Sequence, residues 1–122
     1  MKELPAVLRG GPLLIAHRGG SLLRPENTLN AFESAAADWQ ADMLEFDVRA
    51  TRAGHCVVIH DPTLERTTNG TGHVAAHTLA QLRELDAGYR FTADGGRTYP
   101  FRDCGIRIPT IDEVLERLPT CA

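Results

Sequence analysis

The chain has 122 residues, 43% of them hydrophobic and 24% charged, the profile of one globular domain able to bury its own core without metals or disulfides. A formal net charge of -3 leaves no basic footprint for nucleic acid or an anionic membrane. The three cysteines, Cys56, Cys104 and Cys121, are far apart and form no Cys-x-x-Cys or Cys/His zinc pattern, so free thiols in a reducing compartment are expected.

The N-terminal stretch MKELPAVLRGGPLLIAHRGG holds one lysine, a proline and an apolar run too short for a signal peptide or membrane span. Cytoplasmic localisation is the expectation. Residues 13 to 16, LLIA, form a short apolar run that opens into His17-Arg18-Gly19-Gly20, which predicts a buried strand ending in a loop. After Pro25-Glu26-Asn27-Thr28, the recurrence of Leu29, Phe32, Ala35, Ala36 and Trp39 at threes and fours predicts a helix capped by Asn27 or Thr28.

Residues 43 to 50, MLEFDVRA, alternate apolar and polar side chains and predict one strand; a turn at Gly54 leads to a second strand at 56 to 60. Residues 61 to 107 are rich in Thr, Gly and Arg. Within them Thr78 and Gln81 form a capping box ahead of Leu79, Leu82 and Leu85, with Gly88 as the expected helix stop. The following GYRFTADGGRTYPFRDCG reads as loop. A last helix begins at the Thr110/Glu113 capping box, carries Ile111, Val114, Leu115 and Leu118 as its apolar stripe, and stops at Pro119. Strands alternating with helices predict an α/β fold with a parallel sheet, in which ligands gather at strand ends.

Three strand ends carry the candidate chemistry. Glu45 and Asp47, at i and i+2 on a strand, are either an ordinary wet face or two hard oxygen ligands for one Mg²⁺ or Ca²⁺. His17 and His60 each follow an apolar run directly, so each is a structural residue or one member of an acid/base pair. Arg18 offers a planar fork suited to phosphate. Taken together, a cation, a fork for phosphate and two imidazoles describe hydrolysis of a phosphate ester. His55, His73 and His77 lie in turn-like or polar surroundings and read as surface residues. The NGTG at 69 to 72 lacks the Gly-Lys-Ser/Thr of a phosphate loop and reads as a turn.

IAHRGG, PENT, LEFDVRAT, VVIHDPTLERTTNGTG, LDAG and IPTIDEVL, in that order, resemble the glycerophosphodiester phosphodiesterase family over residues 13 to about 118. The resemblance implies an α/β fold, here a partial TIM (β/α)₈ barrel comprising the first βα units, with a small insertion after the second strand at approximately 62–105. It implies metal-dependent hydrolysis of small glycerophosphodiesters to glycerol 3-phosphate and an alcohol. The family's catalytic histidines map onto His17 and His60, its phosphate-contacting arginine onto Arg18, and two of its metal-binding carboxylates onto Glu45 and Asp47. Glu26, Asn27 and Thr28 match a family motif and are expected to shape the loop and cap the helix.

A full barrel takes roughly 250 residues. The family's remaining metal-binding glutamate and nearby lysine lie on the next strand, and Lys2, this sequence's one lysine, precedes the first strand. The chain is therefore expected to be part of a longer enzyme that needs a C-terminal half or a second copy. The alternative is a truncated, catalytically inactive remnant or an interaction module.

Overall fold

The computed structural model describes residues 10–118; Lys2, Pro119 and Cys121 lie outside them. Strand β1 (Ile15–His17), helix α1 (Leu29–Ala37) and strand β2 (Met43–Glu45) form a β-α-β unit. The two strands pair in parallel, with Ile15 opposite Met43, Ala16 opposite Leu44 and His17 opposite Glu45. This register sets the first histidine beside the first carboxylate. Thr28 caps α1, its hydroxyl accepting from the Ala31 amide at 3.2 Å.

The strand expected over residues 43 to 50 is broken in two. After Glu45 the chain leaves the parallel pair, and β3 (Val48–Ala50) pairs antiparallel with β4 (Cys56–Val58), Val48 opposite Val58. The cause is the tight turn between β3 and β4. Gly54 adopts φ +87° and its amide donates to the Thr51 carbonyl at 2.9 Å, and so short a connection can join only antiparallel neighbours. The expected parallel sheet is thus one parallel pair and one antiparallel pair. Asp47 sits in the break, its carbonyl accepting from the Ile59 amide at 3.0 Å.

The period-two rule decides the core at β4. Val57 and Val58 are both fully buried but face opposite sides. Val57 joins Ile59, Leu64, Val74, Leu82, Ala87, Ile106 and Ile108. Val58 joins Phe32 of α1 and Val114, with Leu29, Leu44, Phe46 and Leu118 packed around them. Residues between Asp61 and Ile108 are therefore not a loose excursion; they close over one face of β4.

Helix α2 (Leu79–Arg83) and helix α3 (Ile111–Arg117) both carry the expected capping boxes. Three details depart from the sequence pattern. Helix α2 ends at Arg83 rather than near Gly88, whose hydrogen is needed because a Cβ there would lie 2.6 Å from the Phe101 carbonyl. Leu115 is 62% exposed, since Val114 and Leu118 take the inward face of α3. The expected buried strand at 13 to 16 is half open, Leu14 and Ile15 being exposed, because among the described residues β1 has a neighbour on one edge only. With Leu22, Leu23 and Trp39, which extends past the end of α1, they line an open apolar cavity of about 470 Å³.

Candidate active site

The turn that leaves β1 is built tightly. The Gly19 and Gly20 amides donate to the Ala16 and His17 carbonyls at 3.1 and 2.9 Å. Gly19 has φ +78°, and a Cβ there would fall 2.7 Å from Phe32 Cδ1. This close approach seats the turn directly on α1. Arg18 (φ 52°) and Asn27 (φ 56°) both occupy the left-handed region, and the Asn27 amide donates to the Arg18 carbonyl at 2.9 Å. Left-handed backbone costs a non-glycine residue about 1 kcal/mol, and two such residues bonded to each other mark a site whose geometry is imposed by its surroundings.

The two carboxylates are partly exposed, and each is bonded to the turn that leaves β1 or to PENT. Glu45 Oε2 accepts from the Arg18 backbone amide at 3.1 Å and lies 3.5 Å from His17 Nε2. Asp47 Oδ2 accepts from Asn27 Nδ2 at 3.1 Å and lies 3.7 Å from Arg18 Nε. Both therefore converge on Arg18, even though the strand is broken between them. Arg18 Nη1 in turn donates to Glu26 Oε2 at 3.2 Å. PENT is thus more than a loop-shaping and capping motif: Glu26 ties down Arg18, and Asn27 orients Asp47.

His60, just beyond β4, joins the same network from the other side. Its Nδ1 lies 2.8 Å from Asp61 Oδ1. Arg66 donates to both Asp61 oxygens, from Nε at 2.8 Å and Nη2 at 3.0 Å, and to both Glu26 oxygens, from Nη1 at 2.7 Å and Nη2 at 2.9 Å. The Arg66 fork, aided by His60, holds the Asp61 carboxyl well below the usual carboxylate range. A continuous path runs His17–Glu45–Arg18–Glu26–Arg66–Asp61–His60. Glu26, Asn27 and His60 also line a common small cleft. His17, Arg18, Glu45 and His60 lie on this path, and Asp47 lies directly beside it.

Asp61 and Arg66 were not singled out for a role. The available signal was the carboxylate directly after His60 and the arginine five residues on; nothing in a linear sequence says that this arginine also reaches Glu26, 40 residues away. His55 and His73 are exposed as expected, whereas His77 is half-buried with Nδ1 at 2.6 Å from the His73 carbonyl. NGTG lies outside helix and strand, bending at Asn69 and Gly72, with Gly72 at φ +90° and its amide donating to Glu65 Oε1. Cys56 and Cys104 are free and exposed. Among the described residues no helix is long and apolar enough to cross a membrane. The 470 Å³ cavity touches His17 alone of the candidate residues and is almost wholly apolar, so it is not where the polar chemistry sits.

The donor set fits a hard divalent cation in part. Glu26, Asp47 and Asp61 lie against the two guanidiniums of Arg18 and Arg66, while Glu45 meets the Arg18 backbone amide and His17, so four carboxylates face two guanidiniums. The buried Asn27 Oδ1, on the amide that orients Asp47, has no hydrogen-bond partner among the described residues. No group of three or more His, Cys, Asp or Glu among them is arranged to hold a metal by itself. Glu45 and Asp47 would supply two of the six or more oxygen ligands that such an ion takes.

The model of the glycerophosphoryl diester phosphodiesterase family matches residues 17–121. The chain belongs to that family. It is 49% identical over 104 residues to a glycerophosphodiester phosphodiesterase of Caldanaerobacter subterraneus subsp. tengcongensis, a match covering 85% of this chain and 39% of that protein. The phosphodiesterase domain of a Mycobacterium tuberculosis protein superposes with a TM-score of 0.86 at 32% identity, over 92% of this chain and 41% of that one. A phosphodiesterase of Oleispira antarctica, solved with the product sn-glycerol-3-phosphate, superposes with a TM-score of 0.72 at 38% identity, over 87% of this chain and 39% of that one. This chain therefore spans about two fifths of the glycerophosphoryl diester phosphodiesterases that it matches, as a mixed α/β unit.

Proposed function

We propose that this chain forms the first βα units of a TIM-barrel phosphodiesterase, with residues 62–105 as the insertion, and carries its acid/base residues. The substrate class is small glycerophosphodiesters, cleaved to glycerol 3-phosphate and an alcohol. The observation that carries the reading is the single path of contacts from His17 to His60 through Glu45, Arg18, Glu26, Arg66 and Asp61. The product held by the Oleispira antarctica relative supports the same chemistry. The setting proposed for this chemistry is the cytoplasm.

Glu45 and Asp47 hold Mg²⁺ or Ca²⁺ in this reading, and such an ion supplies positive charge against a phosphate when bound. The residues of the chain do the rest. Arg18, anchored by Glu26, presents a fixed positive charge beside the carboxylates. One imidazole takes the proton of a glycerol hydroxyl as its oxygen forms a bond to phosphorus. The bond from phosphorus to the alcohol breaks, and the other imidazole protonates that leaving oxygen. Water then opens the resulting cyclic ester with the two imidazoles in exchanged roles, which returns both to their starting protonation and yields glycerol 3-phosphate.

The test is release of glycerol 3-phosphate from glycerophosphocholine in the presence of Mg²⁺ or Ca²⁺. In an active protein, His17→Ala and His60→Ala are each expected to lower turnover by roughly 10²–10⁴-fold with the circular dichroism spectrum unchanged. Near-normal rates in both variants would overturn the acid/base roles. Turnover by a longer protein carrying these residues, but none by the 122-residue chain, separates a missing half from a wrong assignment.

A further inference from the structure

Arg66 stands out because its fork does four jobs at once. One guanidinium donates to both oxygens of Asp61 and to both oxygens of Glu26, all four bonds between 2.7 and 3.0 Å. The Arg66 side chain is 47% exposed, while the Glu26 and Asp61 side chains are 12% and 22% exposed. Exposed ion pairs contribute little to stability, and holding a long arginine in one conformation works against folding. Stability alone is a poor reason for such a geometry. The two carboxylates it grips are those that touch His60 and Arg18.

We propose that Arg66 is the positioning residue of this site: it locks Asp61 against His60 Nδ1 and, through Glu26, locks Arg18. The inference rests on the reading of His60 as an acid/base group. Its chemistry follows from the donor inventory. An ionised Asp61 only accepts hydrogen bonds, so the proton in the 2.8 Å contact belongs to His60 Nδ1. Neutral His60 is then the Nδ1–H tautomer, and Nε2 carries the lone pair that exchanges protons with substrate. Near it, Arg49 Nε donates to the His60 carbonyl at 2.8 Å, Arg66 lies beyond Asp61, and Glu26 lines the same small cleft. Among the described residues the ring bonds only Asp61, so Asp61 sets the tautomer, and Arg66 sets Asp61. A lysine would supply charge but no planar fork able to grip two carboxylates together.

The experiment is ¹⁵N NMR of the histidine rings of the 122-residue chain at about pH 8, where an ordinary imidazole is neutral. The wild type is expected to show His60 protonated at Nδ1 and bare at Nε2. In Arg66→Met the ratio of Nδ1–H to Nε2–H is expected to fall roughly tenfold or more, and in Arg66→Lys by a smaller but clear factor. The Leu64 and Thr68 amide shifts report whether the loop stays folded; if Arg66→Met loses them, Arg66→Lys decides. A wild-type His60 carrying its proton on Nε2, or an unchanged ratio in the folded variants, overturns the proposal. Because the readout is a proton position and not a rate, it stands or falls separately from hydrolysis of glycerophosphodiesters.

Discussion

The backbone amide of Arg18 donates to Glu45 Oε2 at 3.1 Å, joining residues 27 positions apart. This bond follows from the parallel register of β1 and β2, which places His17 opposite Glu45 and so carries the next amide over the same carboxylate. The carboxylate thereby serves the turn as an acceptor while its other oxygen remains available.

That division predicts what happens when charge is removed and shape is kept. Glu45→Gln with Asp47→Asn retains carbonyl oxygens facing the Arg18 and Asn27 donors, so the chain is expected to fold. Mg²⁺ or Ca²⁺ at about 100 times its dissociation constant is expected to stabilise the wild type by about 2.7 kcal/mol and the double variant by nearly nothing. Thermal melts with and without the ion measure this. Equal stabilisation of both proteins would place the cation elsewhere.

Gly19 and Gly54 form a matched pair for separating backbone strain from collision. Both have positive φ, but a Cβ at Gly19 meets Phe32 at 2.7 Å whereas Gly54 has open space. Gly54→Ala is expected to cost about 1 kcal/mol, and Gly19→Ala a further 1–3 kcal/mol or so from overpacking. Urea unfolding of the two variants gives the difference directly. Equal losses would mean that the turn after β1 can lift off α1.

Thr110 opens α3 by accepting from the Glu113 amide at 3.2 Å, and Glu113 also receives the Arg83 fork at 2.6 and 3.0 Å. Thr110→Ala is expected to cost about 1 kcal/mol, read as a lower urea midpoint with an unchanged slope. A loss confined to α3, seen as faster amide exchange there alone, would show that the helix frays independently of the core.

Acid is expected to weaken the loop that carries His60. The Arg66 fork, aided by His60, lowers the Asp61 pKa in the folded chain, so the unfolded chain binds more protons as pH falls. The stability from this group is complete above its ordinary value of about 3.9 and is lost as pH drops below that toward the folded value. Asp94, held down to about 2 by Thr98, adds to the same acid slope. Comparison of Asp61→Asn with the wild type isolates the Asp61 share: the urea midpoint of the variant is expected to change less between about pH 5 and pH 2.5. Parallel pH curves would show that Asp61 gains nothing from Arg66.

Local rules were enough for several features, because they act over a few residues. Thr28, Thr78 and Thr110 cap helices through hydroxyls three residues from their targets. The alternation at Val57 and Val58 divides the two cores. The short motifs around His17, Glu45 and His60 marked the strand ends where the contacts lie, and they carried the family resemblance. Other features depended on partners distant in the chain. The break between Glu45 and Val48 arises because one segment is claimed by β1 and the next by β4. The exposure of Ile15 reflects a strand edge without a described neighbour. The grip of Arg66 on Glu26 crosses 40 residues, and hydrophobic periodicity carries no information about which charged side chains meet. Sequence alone thus determined the chemical inventory and its family; the tertiary structure decided which carboxylate restrains which cation, because that depends on separations fixed only when the core closes.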